Sequence, residues 1–150
     1  MIEYRDAEER DLSAIVAMLA DDPLGATRED ASIPLSHAYY AAFHAIEAAS
    51  GQRLVVAVEA GRIVGTMQLL AIAGLSFRGS RHGQIEAVRI VADRRGGGTG
   101  SAFVRWAVEE LRLAGCASIQ LVSHATRHDA HRFWERLGFE ATHLGFKMTC

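Results

Sequence analysis

The apolar positions of this chain follow two alternating periods, and the points where one gives way to the other mark out the elements. Ile2–Arg5 reads as a first strand. Leu12, Ile15, Val16 and Leu19 then recur at helical spacing, so a helix with one buried stripe is expected there. Asp6 is expected to cap it, with Glu9 three residues later completing an Asp version of the capping box. Asp21-Asp22-Pro23-Leu24-Gly25 breaks that helix. A second helix is expected from Leu35 to Ala49, with Leu35, Tyr39, Phe43 and Ile46 on one side and Ser50-Gly51 ending it. Leu54–Glu59 and Ile63–Ile72 read as a hairpin around Ala60-Gly61-Arg62, and Ala73–Gly83 as a flexible connection. A strand over Ile85–Val91 follows, and then a helix from Ser101 to Ala114 that buries Phe103, Val104, Ala107, Val108 and Leu111 and stops at Gly115. Ser118–Ser123 reads as the next strand and Asp129–Leu137 as a short helix, and Phe139–Met148 is expected to supply one or two final strands. Strands alternating with helices predict a single α/β or α+β domain over residues 1–150, built on a mixed central sheet.

Arg94-Arg95-Gly96-Gly97-Gly98-Thr99-Gly100 joins the Ile85–Val91 strand to the helix behind it. Glycines let the backbone aim its N–H groups at one point, and a helix N-terminus adds a positive dipole end, so the run is a cradle for a pyrophosphate. The dinucleotide fingerprint is incomplete, because its third glycine is replaced by Ser101 and no acidic residue closes a strand about twenty residues on. A P-loop is excluded because no Gly-Lys-Ser/Thr follows. A plain flexible linker fits poorly, since the run sits between two well-patterned elements. What remains is R-x-x-G-x-G, met by Arg95, Gly98 and Gly100.

In this strand–loop–helix setting the chain resembles the GCN5-related N-acetyltransferase (GNAT) superfamily. A second block carries the same resemblance: Phe133-Trp134-Glu135-Arg136-Leu137-Gly138-Phe139, an aromatic pair on a short helix ending in Leu-Gly-Phe. The resemblance covers most of the chain. It implies a mostly antiparallel central sheet, splayed open between the two strands that flank the cofactor and covered by helices. It further implies acetyl-CoA as co-substrate, held by Arg95, Gly96, Gly97, Gly98, Thr99, Gly100 and Ser101, with Ser101 either touching phosphate or merely capping the helix. Backbone groups of Val88, Arg89 and Ile90 are implied to lie near the pantetheine and thioester, where an N–H could polarise the acetyl carbonyl. His124, Arg127 and Trp134 are placed at the same cleft.

The bulk properties narrow the partners. A formal net charge of −2 disfavours a dedicated nucleic-acid binder. No apolar run of membrane length and no leader pattern is present, so no membrane partner is expected. Cys116 and Cys150 are too few for a disulfide framework, which points to a reduced, cytoplasmic setting. His124, His128 and His131 have no cysteine nearby and no carboxylate except Asp129, so no metal is expected. Ser123-His124 lacks a nucleophile elbow.

Glu86 lies in an apolar strand two residues before the presumed thioester-facing segment, where a carboxylate would have a raised pKa and could serve as general base. Pairing with an arginine, or holding a substrate ammonium, is the other reading of Glu86. Trp134 stands where the family commonly has a tyrosine that protonates the leaving thiolate, and indole has no dissociable phenol. Protonation of the thiolate would then come from water or another side chain, or not be needed. Tyr39, Tyr40 and His131 are the candidate side chains, with core packing the other reading for at least one tyrosine. Tyr39, Tyr40 and Phe43 are expected to shape the acceptor site. The resulting expectation is direct acetyl transfer to the primary amine of a small molecule. A protein N-terminal or lysine acetyltransferase is one alternative, and a non-catalytic acyl-CoA-binding sensor the other. A homodimer is the assembly the resemblance suggests.

Overall fold

The structure is a computed structural model describing residues 1–150. Its strands are β1 (Ile2–Asp6), β2 (Gln52–Glu59), β3 (Arg62–Ile72), β4 (Arg81–Ile90) and β5 (Cys116–Gln120). Its helices are α1 (Leu12–Ala20), α2 (His37–Ala48), a single turn α3 (Ser76–Gly79), α4 (Thr99–Leu113) and α5 (His128–Arg136). The strands form one sheet in chain order, antiparallel from β1 through β4 and parallel between β4 and β5.

Strand alternation divides the apolar residues between the two faces. Val55, Ala57, Val64, Met67, Leu69 and Ile85 meet Phe103, Val104, Ala107 and Leu111 of α4 in one core. On the other face Val56 meets Leu12, Ile15 and Val16 of α1 and Phe43 of α2. Two packed layers thus clamp the sheet and hold its central strands rigid.

Several boundaries differ from expectation for identifiable reasons. Asp6 is the last residue of β1 and takes Arg53 Nε at 2.8 Å, so it is no cap. The box is made instead by Glu8 and Asp11, with the Glu8 N–H donating to Asp11 Oδ2 at 2.8 Å ahead of α1. Ala73–Gly83 is shorter as a connection than expected, because β4 begins at Arg81 and Ile72 already pairs with His82. What lies between includes a left-handed turn, with Phe77 and Arg78 at φ +52° and +59°. No strand forms over Phe139–Met148. Leu144, Phe146 and Met148 alternate as the pattern requires, yet all three are exposed and no strand pairs with them. A strand needs a ladder partner, and the alternation alone supplies none.

Candidate functional site

β4 and β5 hydrogen-bond only over their first halves, from Arg81 opposite Cys116 to Gln84 opposite Gln120. Beyond Gln84 the β5-facing edge of β4 has no strand partner, so the sheet opens as a cleft at the carboxyl ends of two parallel strands. A bulge sets this divergence. Thr66 pairs with Arg89 and Gln68 with Glu86, leaving Ala87 and Val88 opposite the single residue Met67. Ala87 takes φ +52° there. Val88 and Ile90 consequently pack toward the α4 core, while Arg89 swings to the α1 side.

At the mouth of this cleft lies the glycine run. Gly96 and Gly98 adopt φ +77° and +85°, which side chains rarely tolerate, and Gly98 is the N-cap of α4. The first helical bond runs from Ala102 N–H to the Gly98 carbonyl, at 3.0 Å. Every N–H from Gly96 through Ser101 is therefore without a protein acceptor. Consecutive free donors at a helix N-terminus make an anion nest. Arg95 donates to the Ile90 carbonyl at 2.9 Å and pairs with Asp21 at 3.1 Å, which anchors the loop to both β4 and the end of α1. Arg94 is held away from the nest by Glu59, at 2.7 Å.

On the α1/α2 face, amides lead to Glu86. Gln120 Nε2 donates to Gln84 Oε1 at 3.2 Å, and Gln84 Nε2 donates to Glu86 Oε1 at 2.5 Å. The Glu86 side chain is exposed, not enclosed among apolar residues as its strand context suggested. Ile85 is buried in the α4-side core, so strand alternation turns Glu86 to the opposite face. Tyr39, Phe43, Leu19, Gln68 and Ala87 contribute to a cavity of about 130 Å³ beneath α1 and α2. Tyr40 packs with the α1/α2 core but does not line this cavity.

Residues 14–139 match the acetyltransferase (GNAT) family. The chain belongs to the GNAT family. The solved structure of a transcriptional regulator from Bacillus halodurans C-125 is 42% identical, with TM-score 0.96 over 100% of both chains. A Trypanosoma brucei acetyltransferase is 28% identical, with TM-score 0.81 over 100% of both. Among curated proteins, the aminoalkylphosphonate N-acetyltransferase of Salmonella typhimurium is 38% identical over 64 residues, which are 43% of this chain and 42% of that enzyme.

In this GNAT domain the cleft is strapped by Asp22. Its Oδ1 accepts from Leu24 N–H at 2.8 Å, Gly25 N–H at 2.7 Å and Arg127 Nη2 at 3.2 Å, while Oδ2 lies 3.0 Å from Arg89 Nη2. The turn is tight enough that a Cβ on Gly25 would sit 1.9 Å from the Leu19 carbonyl oxygen. Burial alone would push the Asp22 carboxyl up, but the Gly25 N–H, the Arg89 and Arg127 cations and the Leu24 N–H together hold it below the usual carboxylate range. A depressed folded-state pKa stabilises above the unfolded value near 4 and is lost as pH falls through the folded value. Asp22→Asn should therefore cost about 2 kcal/mol at pH 7, roughly 4–8 °C in Tm for a domain of this size. The gap should narrow below about pH 4, where the parent loses the same charge. Thermal melts of both proteins from pH 3 to 7 check this; a gap independent of pH would exclude the electrostatic origin.

The remaining expected site residues fall around the cleft. Trp134 on α5 stands edge-on to Phe133 and Phe139, with centroids 5.0 and 5.5 Å away, and its indole N–H donates to no protein group. His124 Nδ1 accepts from the Thr126 N–H at 3.2 Å, and its carbonyl accepts from His131 Nε2 at 2.9 Å, so both rings serve to shape the turn before α5. No group of three or more His, Cys, Asp or Glu side chains could hold a metal ion. No helix is long and apolar enough to cross a membrane. Cys116 is buried at the closed end of the β4–β5 pair, and burial pushes its thiol up.

Sequence reasoning did not find Asp22, Gln84, Gln120 or the bulge at Ala87. Asp-Pro-Leu-Gly signals a side-chain-to-backbone turn. It gives no hint of the arginines 67 and 105 positions later that the Asp22 carboxylate meets, at Arg89 and Arg127.

Proposed function

We propose that this GNAT protein transfers an acetyl group from acetyl-CoA to the primary amine of a small molecule. The observation that carries this reading is the run of free N–H groups from Gly96 to Ser101 at the open end of the β4–β5 cleft. They would bind the pyrophosphate and lay the pantetheine between the strands, bringing the thioester to Val88–Ile90. The amine nitrogen then forms a bond to the carbonyl carbon, and a backbone N–H of that segment stabilises the oxyanion. Collapse breaks the carbon–sulfur bond, and CoA leaves as thiolate. The amine proton passes to Glu86 through water, and the Gln84 amide holds the carboxylate in place for it. Trp134 supplies no proton, so the thiolate takes one from solvent while the indole packs on the cofactor.

Direct attack is favoured over an acetyl-cysteine intermediate, because Cys116 is buried away from the open end. A small acceptor is supported by the Salmonella typhimurium relative, which is named for an aminoalkylphosphonate. The missing phenol at Trp134 favours one second reading, an acyl-CoA sensor that has lost turnover.

Calorimetric titration with acetyl-CoA and with free CoA tests the cradle, and thiol release in the presence of primary amines tests the transfer. Micromolar binding, about −8 kcal/mol, is expected for both ligands. No heat from either would remove the cradle and every role built on it.

A further inference from the structure

Two arginines converge on a single carboxylate on the α1 side of β4, and a third, Arg28, lies close enough to repel one of them. Arg89 and Arg127 both reach Asp22, and Arg28 follows on the Gly25–Thr27 turn whose Gly25 N–H the same carboxylate holds. The neighbouring carboxylates are engaged elsewhere: Asp21 pairs with Arg95, Glu29 accepts from the Tyr39 hydroxyl at 2.7 Å, and Asp30 accepts from Ser32. Glu29 and Asp30 keep their charge beside Arg28 but form no ion pair with it, and Asp22 is the one carboxylate paired with both Arg89 and Arg127.

Two further observations show the cluster to be unsatisfied. Arg89 is largely buried, yet its Nε has no hydrogen-bond acceptor. Its Nη2 is 3.0 Å from Asp22 Oδ2 without the alignment of a hydrogen bond, so that oxygen is also buried without a hydrogen-bond partner. Burial above all, and then the Arg127 and Arg28 cations, hold the Arg89 guanidinium below its usual proton affinity despite Asp22. Mutual repulsion of this kind is relieved by a multivalent anion accepting from several forks at once.

The cluster also adjoins the acceptor side of the cleft. Arg89 is two residues past Ala87, which lines the cavity under α1 and α2. Arg28 belongs to the segment tied to that cavity's Tyr39, whose hydroxyl accepts from the Asp30 N–H at 2.9 Å. Glu86 lies one residue before Ala87, on the other side of the bulge.

We propose that Arg28, Arg89 and Arg127 receive a dianionic phosphonate or phosphate group carried by the acceptor, so that the amine substrate is a short zwitterion spanning from this cluster to Glu86. This rests on the acetyl-transfer reading above. Arg28 is the side chain to probe, because it is exposed and has no ion pair within the fold.

Thiol release is compared for three amines of equal chain length, ending in a phosphonate, a carboxylate or a methyl group. The phosphonate should lead the methyl-ended amine by about a hundredfold in kcat/KM, with the carboxylate between them. In Arg28→Ala, KM for the phosphonate should rise by about tenfold or more at little cost in kcat. Arg28→Lys should recover part of that loss, and the acetyl-CoA dissociation constant should be the same in all three proteins. Equal kcat/KM across the series would overturn the acceptor proposal while leaving acetyl transfer intact. A weakened acetyl-CoA affinity in Arg28→Ala would overturn it differently, by assigning the cluster to the phosphates of CoA. Thiol release from none of the amines, in a protein that binds acetyl-CoA, would instead bring down acetyl transfer and the acceptor proposal with it. Titrating the amine-free alkylphosphonate into the protein–CoA complex reads the anion site without turnover, and absence of binding there would also refute it.

Discussion

Glu86→Gln should lower kcat by about 100- to 10,000-fold while leaving the acetyl-CoA dissociation constant unchanged. The substitution preserves size and can keep a hydrogen bond to Gln84, which donates to Glu86 in the parent. It removes only the ability to take a proton. Glu86 is exposed and outside both buried clusters, so no stability change is expected to confuse the result. The defect should shrink as pH rises toward the pKa of the acceptor amine, because an amine already free of its proton needs no base. A proton-acceptor role predicts that recovery, whereas a role in holding the substrate ammonium predicts a rise in KM at constant kcat. Single-turnover and steady-state rates from pH 6 to 10 distinguish the two. A variant within twofold of the parent at every pH would remove Glu86 from the chemistry. Turnover absent from the parent, despite tight acetyl-CoA binding, would favour the sensor.

Gly98→Val should weaken acetyl-CoA binding by about a hundredfold or more, equivalent to about 2.7 kcal/mol. Gly98 caps α4 at φ +85°, where a β-branched side chain is strained by about 1–2 kcal/mol or more. The loop escapes the strain by turning over, which scatters the N–H groups of Gly96 through Ser101 that now stand free together. Tm should fall by only a few degrees, because the loop is exposed and the α4 core residues Phe103, Val104 and Ala107 are untouched. Gly100→Ala is the comparison. A Cβ at Gly100 would meet Ile90 Cγ1 at 3.5 Å and Phe133 at 3.6 Å, which are ordinary contacts, and the backbone there is not left-handed. Calorimetry should rank the parent and Gly100→Ala well above Gly98→Val. Parent-like affinity in Gly98→Val would mean that the N–H groups do not hold the cofactor.

The sequence by itself determined the parts that depend on neighbours along the chain. Apolar spacing placed α1, α2 and α4 and the β2–β3 hairpin, since an element of one period can bury only one face. The R-x-x-G-x-G run at Arg95, Gly98 and Gly100 and the aromatic block at Phe133–Phe139 identified the family, which the match over residues 14–139 confirms. Where local signals competed, they misled: Asp6 has the chemistry of a cap, but β1 runs through it, because its pairing opposite Val55 outweighs one side-chain bond. The alternation of Leu144, Phe146 and Met148 suggested a strand, yet no ladder receives it.

Tertiary structure alone decided what surrounds each chemical group. Glu86 reads as a carboxylate enclosed in an apolar strand, and the fold leaves it in solvent at the end of an amide chain from Gln120. Asp22 reads as a helix breaker, and the fold makes it the meeting point of Arg89 and Arg127 beside Arg28. The reason is physical. Periodicity and glycine conformation act over a few residues and are written in sequence order. Desolvation and charge depend on separations of a few ångströms, and in this chain those join residues up to 105 positions apart, as between Asp22 and Arg127.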